Sequence, residues 1–434
     1  MADSSDFPAN RLSRRAMLTA LGSAALGSST LAAPAFAQDS SNWVPFPNQR
    51  TASARGAEPY DREFVKEWEN NPPKGYPTLS PANIAPMQAA IKRYTDVVAR
   101  GGWKPVPDIP MSMGMTDAAV AVLNERLALS GDLKEQSGTT TYFDGTLEKA
   151  VKRFQASNGL SPTGVIDKRT TAALNVPAAA RLRQLKVNLA RLQEFTRSTA
   201  KRYVMVNIPA AQVEAVENGH VVTRHSGVVG KQDRPSPLLR TQIHEINFNP
   251  MWTLPPTVIE KDLIPKGREM QAKGQNVLLK FGIDAYDGNG KKLAPSGIDW
   301  SSANTRNLMF RQASGKENPL GFMKINFHNN YSVYMHDTPS DTLFGRNFRA
   351  ASSGCVRVRD IEGLGAWLLS ANGGWTAQRI KGMRETGEQK NVALKSPVAL
   401  YWVYITAWAT EDGIVQFRRD IYNKDGVGET ASAY

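Results

Sequence analysis

One cysteine, Cys355, in 434 residues rules out an internal disulfide, so this is not a small secreted domain stapled by bridges. No segment after the N-terminal leader approaches the run of about eighteen apolar residues that a membrane-spanning helix needs. The 53 Lys and Arg residues outnumber the 40 Asp and Glu, yet they are dispersed, without the basic run of a nucleic-acid-binding arm. Metal motifs are missing as well. There is no H-E-x-x-H, and His220 and His225 have no Cys or carboxylate at ligand spacing, so both are expected at the surface. His244, inside a strand-like stretch, is expected to be packed. Asp284 to Gly290 lacks the fifth-position ligand and the closing Glu of a calcium loop and reads as a turn. Gly230-Lys231-Gln232 lacks the Ser or Thr and the upstream Gly of a phosphate loop, and no Gly-rich dinucleotide fingerprint follows a strand. No cofactor and no metal is implied.

What is present is an ordinary globular composition, 41% apolar and 21% charged, at a length that allows two or three domains. Arg11-Leu12-Ser13-Arg14-Arg15 opens a mild apolar run closed by Ala35-Phe36-Ala37. These are the basic region, apolar region and A-x-A-like site of an export signal cleaved after Ala37, with a twin-arginine-like start. Removing residues 1–37 takes away three arginines and two aspartates and leaves +12 of the original +13. Such a charge implies an anionic partner, and for an exported chain nucleic acid is excluded in favour of wall polymer or lipid headgroups.

The chemistry concentrates between His336 and Asp360. A thiol suits acyl transfer because sulfur is intrinsically nucleophilic, but at neutral pH a free cysteine is only a few per cent thiolate. A nearby cation corrects that, and the imidazole of His336 and the guanidinium of Arg357 are the candidates. Tyr331 to His336 alternates like a strand, with Ser332, Tyr334 and His336 on one face. Cys355 to Arg359 alternates likewise, with Cys355, Arg357 and Arg359 together. Gly354 permits close backbone approach, and N–H groups there could hold an oxyanion. Asp360 is positioned to cap the following helix.

His-x-Thr, a spacer, then Ser-x-Gly-Cys-x-Arg resembles the signature of the L,D-transpeptidases (YkuD-type catalytic domain), enzymes that remodel peptidoglycan. The resemblance implies His336 and Cys355 as the catalytic pair, backbone at Gly354 as oxyanion stabiliser and Arg357 on the substrate side. Tyr334 beside the base, Trp252, Ser353 and Asn249 complete the expected substrate-side set. The chain departs from the family at Asp337, where Gly is frequent, and at Ser353, where a second His is frequent.

Along the chain, residues 38–105 read as an extended segment with a short helix near Asp61 to Glu69 and a longer one over 82–100. In 106–177, Val120, Leu123 and Leu127, then Leu147, Val151 and Phe154, recur at helical spacing. YFDGTLEKAVKRFQASNGL and TGVIDKRTTAALN resemble the three-helix peptidoglycan-binding family. Leu182, Leu185, Leu189 and Leu192 mark a connecting helix over 178–200, with a coiled-coil dimer as the rival reading. From Tyr203 the period becomes two, with Asn218-Gly219 as a hairpin turn, and residues 201–434 are expected to form the catalytic domain. Within it, Asn249-Pro250-Met251-Trp252-Thr253-Leu254-Pro255-Pro256 resembles the entry to a capping insertion of the larger family members, here about 255–320, with Trp252 lining its hinge. Val398 to Trp408 and Ile414 to Tyr422 read as strands returning to the same domain. The fold class expected is α+β multidomain.

The resemblance implies a reaction in which Cys355 attacks the carbonyl of a stem-peptide diaminopimelate, expels D-Ala as a thioester forms, and yields a cross-link to a second stem. Attachment of an envelope protein by the same chemistry, hydrolysis by an L,D-carboxypeptidase and a non-catalytic wall-binding scaffold are the alternatives. Peptidoglycan stems are the expected partners, carbapenems the expected inhibitors, and the periplasm the expected location.

Overall fold

The computed structural model describes residues 77–133, 140–339, 341–410 and 412–426. The chain divides into two units, Met1–Asn42 and Trp43–Tyr434, and every described residue belongs to the second. The expected export signal and the helix near Asp61 lie outside the described residues.

Helix α1 (Ile84–Ala99) buries Met87, Ala90, Tyr94 and Val97 and ends at Gly101 and Gly102, both at positive φ. Next come α2 (Ala118–Ser130), α3 (Gly145–Ser157) and α4 (Lys168–Leu174). Each begins at an aspartate whose carboxylate accepts a first-turn N–H: Asp117 from Ala119, Asp144 from Leu147 and Asp167 from Thr170. Each cap contributes about 1 kcal/mol. The apolar faces meet in one core that includes Val120, Leu123, Leu127, Leu147, Val151, Phe154 and Leu174.

Helix α5 (Ala178–Thr196) carries the leucine stripe. Its stripe is covered within this chain, by α1 and by Tyr203, Met205 and Tyr401 of the following sheet, which removes the basis for a coiled-coil dimer. Two buried arginines fasten the three-helix module to this layer. Arg126 lies 3.6 Å over the Trp103 ring and Arg181 lies 4.3 Å over Phe417.

The β-rich half starts with β1 (Arg202–Asn207), β2 (Gln212–Glu217), β3 (His220–Gly230) and β4 (Leu239–Phe248). Asn218 and Gly219, both at positive φ, turn the β2–β3 hairpin as expected. An insertion follows: β5 (Trp252–Thr253), α6 (Pro256–Val258), a π-turn (Ile259–Leu263), α7 (Ile264–Ala272), α8 (Val277–Phe281), β6 (Ile283–Tyr286), β7 (Lys292–Leu293) and β8 (Met309–Gln312). It has its own sheet, ordered β5-β8-β6-β7, and its own core around Leu263, Phe281, Trp300 and Phe310. Gly267 permits that packing, since a Cβ there would fall 2.2 Å from the Trp300 ring.

The chain re-enters the main sheet through β9 (Met323–Phe327), β10 (Met335–His336), β11 (Ala350–Ser352) and β12 (Val356–Val358). Helices α9 (Ile361–Leu368) and α10 (Ala377–Thr386) and strand β13 (Lys390–Val403) come next. The order is β11-β3-β12-β10-β9-β4-β13-β1-β2, and β2 also pairs with β3, which closes the sheet into a barrel. Side chains alternate between two cores. Val398, Leu400 and Trp402 join the core shared with α9 and α10, while Tyr401 and Val403 join the one beneath α1 and α5.

The C-terminal stretch differs from expectation. The expected strand Val398 to Trp408 breaks after Val403, and β14 (Ala407–Ala409) and β15 (Val415–Phe417) form a separate two-stranded sheet packed on the helices. The break is where Asn188 of α5 binds both the Thr406 N–H and its hydroxyl, taking the backbone out of the ladder. His225, expected at the surface, is buried. Its ring nitrogens bond to the Arg359 carbonyl and the Thr223 hydroxyl. His244 is packed as expected, stacked 4.2 Å from His328.

Candidate active site

Three adjacent strands build the site. Lys324 on β9, His336 on β10 and Arg357 on β12 are direct ladder partners, so their side chains share one face and the imidazole has a cation on either side. Strand β10 is only Met335–His336, shorter than the Tyr331 to His336 expected. Asn329 is the reason. Its side chain accepts from the N–H groups of Tyr331 and Val333 and donates to the Val333 carbonyl, holding a turn in which Ser332 has φ 55°.

Cys355 immediately precedes β12. The Val356 N–H donates to the Tyr334 carbonyl (3.0 Å), which brings the half-buried thiol alongside Tyr334 and one ladder step from His336. Tyr334 ties the site together. Its hydroxyl accepts from Trp252 Nε1 (3.0 Å) and donates to the Cys355 sulfur, its ring sits edge-on to His336 at 5.7 Å, and Lys324 Nζ lies 4.4 Å over its face. It packs against both the barrel core and the core of the insertion. Trp252 accordingly sits where the insertion leaves the barrel.

The backbone before the cysteine is fixed by two serines. Ser352 Oγ accepts the Gly354 N–H (3.1 Å) and donates to the Cys355 carbonyl (2.6 Å). Ser236 Oγ accepts the Gly230 N–H and donates to the Gly354 carbonyl (2.8 Å). Gly354 has φ 111° and Gly230 has no room for a Cβ, which would lie 2.4 Å from the Arg234 carbonyl. The Gly230 to Pro237 loop thus lies directly on the cysteine turn, and Arg234 joins that loop to the insertion by a two-pronged ion pair with Asp262 (2.5 and 3.1 Å).

Electrostatics correct one expectation. His336 was a candidate for the cation that ionises the thiol, but burial, then Arg357 and, more weakly, Lys324 pull its pKa down to about 3, against the Asp337 and Leu320 backbone oxygens. The imidazole is neutral. Its Nδ1–H donates to the Asp337 carbonyl (2.5 Å), which fixes the orientation of the ring. Burial likewise pushes the Cys355 thiol up to about 11, although the Tyr334 N–H, Lys324, Arg357 and the Tyr334 hydroxyl all favour the thiolate. Burial brings Arg357 down to about 10 and lowers Lys324. The resting pair is therefore thiol and imidazole, and the two cations beside it are Lys324 and Arg357.

Other residues depart from their expected roles. Asn249 is engaged with backbone outside the cysteine turn. Its side-chain amide donates to the Met383 and Glu388 carbonyls (2.7 and 2.8 Å), pinning the chain where it leaves β4 at φ 47°. Asp360 does not cap α9. It has φ 49°, and its carboxylate lies 3.7 Å from Arg359. The Gly354 N–H, expected as an oxyanion donor, is engaged by Ser352. The Ser353 hydroxyl is buried with no hydrogen-bond partner. Lys324 and Asp262 were not singled out from sequence; Ser352 stood there as the serine of Ser-x-Gly-Cys-x-Arg, and Arg234 and Ser236 in a stretch, Gly230-Lys231 with Arg234-Pro235-Ser236-Pro237, that resembles a loop the family uses near its site. For Lys324 a signal existed, a lone cation at an alternate position of the apolar strand MKINF.

Residues 201–386 match the family model of the YkuD L,D-transpeptidase catalytic domain, and residues 116–174 match PG_binding_1, a domain provisionally described as peptidoglycan binding. This chain carries an L,D-transpeptidase catalytic domain of the YkuD family. A Haemophilus influenzae protein provisionally named an L,D-transpeptidase is 32% identical over 223 residues, 51% of this chain. The match spans only 44% of that relative's length. Among solved structures, an L,D-transpeptidase from Xylanimonas cellulosilytica is 16% identical, covering 69% of this chain and 100% of its own, with a TM-score of 0.22. The ertapenem-acylated catalytic domain of the Enterococcus faecium L,D-transpeptidase is 10% identical, covering 45% of this chain and 98% of its own, with a TM-score of 0.21. Among the described residues no helix is long and apolar enough to cross a membrane.

Proposed function

We propose that this protein is a peptidoglycan L,D-transpeptidase acting from the periplasm, with Cys355 as nucleophile and His336 as general acid and base. The observation that carries this reading is the thiol held against Tyr334, one ladder step from a neutral histidine whose Nδ1 is fixed on the Asp337 carbonyl. The Cys355 proton passes to His336 as sulfur attacks the carbonyl carbon of the stem's diaminopimelate. Collapse of the tetrahedral adduct breaks the bond to terminal D-Ala, and His336 returns the proton to the departing amine. A thioester remains. The side-chain amine of a second stem attacks it, giving its proton to His336. The carbon–sulfur bond then breaks, a cross-link forms and Cys355 is reprotonated. The insertion packed on Tyr334 and Trp252 supports transfer over hydrolysis, since shielding a thioester from water favours the amine. The three-helix module supplies wall contact, and a carbapenem is expected to acylate Cys355.

The test is mass spectrometry of tetrapeptide muropeptides incubated with residues 38–434 and with Cys355→Ala. Cross-linked dimers that have lost one D-Ala, made only by the protein with the thiol, are expected. Tripeptide without dimer points instead to a carboxypeptidase or to an envelope-protein acceptor. No turnover by either protein makes the chain a wall-binding scaffold.

A further inference from the structure

Arg357 is 7% exposed, and its Nε is buried without a hydrogen-bond partner. Lys324, two strands away on the same face, is partly buried above the Tyr334 ring. Among the described residues neither forms an ion pair. The acid that faces Lys324 from β4, Glu245, is held by the side-chain amides of Asn247 and Asn326. Asp337, beside His336, is turned to the Phe322 N–H and Arg384. A desolvated guanidinium without a counter-anion, beside a lysine whose one facing acid, Glu245, forms no ion pair with it, is unfavourable unless something negative completes the pair, and such an arrangement next to a reactive group is the mark of a ligand site. Among the described residues, the only titratable partner they share that can turn negative is the Cys355 thiol.

We propose that Lys324 and Arg357 form a two-cation cradle for a free carboxylate of the acyl donor, and that Lys324 is a specificity-determining residue for that anion. This rests on the transpeptidase reading above. The guanidinium fork suits a planar carboxylate, and the ammonium adds a point charge from the opposite side of His336. A stem offers two sources of this chemistry, the terminal D-alanine carboxylate and the free carboxylate of diaminopimelate.

The test does not need turnover. Cys355 is alkylated with iodoacetamide in the intact protein, with and without N-acetyl-D-alanine or N,N′-diacetyl-diaminopimelate, each compared with its amide. Neither probe contains the diaminopimelyl–D-Ala bond. At millimolar concentration at least one acid is expected to slow alkylation several-fold while its amide does not, and the acid that protects identifies the source. Lys324→Met is expected to weaken protection about tenfold or more and Lys324→Arg to restore most of it. Because protection is a ratio within each variant, a change in thiol reactivity cancels. Equal protection by acid and amide, no protection by either acid, or full protection in Lys324→Met overturns the cradle. Failure of the transpeptidase reading appears separately, as absence of turnover in the muropeptide assay.

Discussion

A thiol at about 11 beside an imidazole at about 3 makes a definite kinetic prediction for alkylation of Cys355. At pH 7 the thiolate fraction is about one in ten thousand, against about one in a hundred for the ordinary value of 9.0. Iodoacetamide should therefore react about a hundredfold more slowly than with an exposed cysteine. The rate should climb roughly tenfold per pH unit from 7 to about 10, with no plateau in acid, because only thiolate reacts. The contrary arrangement, a preformed thiolate–imidazolium pair, has a different signature: a plateau reaching from about pH 4 to 8 and a second limb where the imidazolium deprotonates. The assay is the pseudo-first-order rate from pH 4 to 10, followed by intact mass, with Cys355→Ser as the blank. An acid plateau refutes the neutral-pair assignment, and with it the view that the proton leaves the thiol only as sulfur attacks.

The remaining predictions concern the scaffold. Asp262→Ala removes the two-pronged carboxylate partner of buried Arg234, and should lower stability by about 3 kcal/mol in urea unfolding, with faster amide exchange across residues 256–264. Gly230→Ala drives a Cβ into the Arg234 to Ser236 backbone and should cost about 1–3 kcal/mol and most of the activity, read by thermal melting and muropeptide turnover. Asn249→Ala removes the donor to two carbonyls and should cost about 1–3 kcal/mol while KM stays unchanged; a raised KM at full stability would return Asn249 to the substrate side. Burial raises Asp337 from 3.8 to about 6, so the native state binds more protons than the unfolded chain between those values. Its contribution is fullest below about pH 4 and is lost as pH rises through 6, by at most about 3 kcal/mol. Urea unfolding of Asp337→Asn should lack that slope.

The module that resembles a wall binder also touches the loop between histidine and cysteine. Ser161 donates through both its N–H and its hydroxyl to Asn347 Oδ1 (2.8 and 2.7 Å), and Arg349 ties the same loop to the Gly227 and Ala210 carbonyls. The segment leading to Cys355 is thus held from both domains.

Much of this protein is determined by local sequence. Aspartate caps, leucine spacing, the Asn218-Gly219 turn and period-two strands act over a few residues, where propensity and side-chain direction suffice to place helices and hairpins. The proximity of His336, Cys355 and Arg357 was also legible, because a multi-residue motif records it. Tertiary structure alone decided what those groups are. The neutral state of His336 follows from burial and from Arg357 and Lys324 arriving on neighbouring strands, a coincidence that no spacing along the chain encodes. The turn of Asn249 toward α10, the burial of His225 and the break at Thr406 likewise arise from partners more than 100 residues away. Electrostatics and hydrogen bonding depend on distance through space, and the closed barrel sets those distances by bringing β9, β10 and β12 side by side.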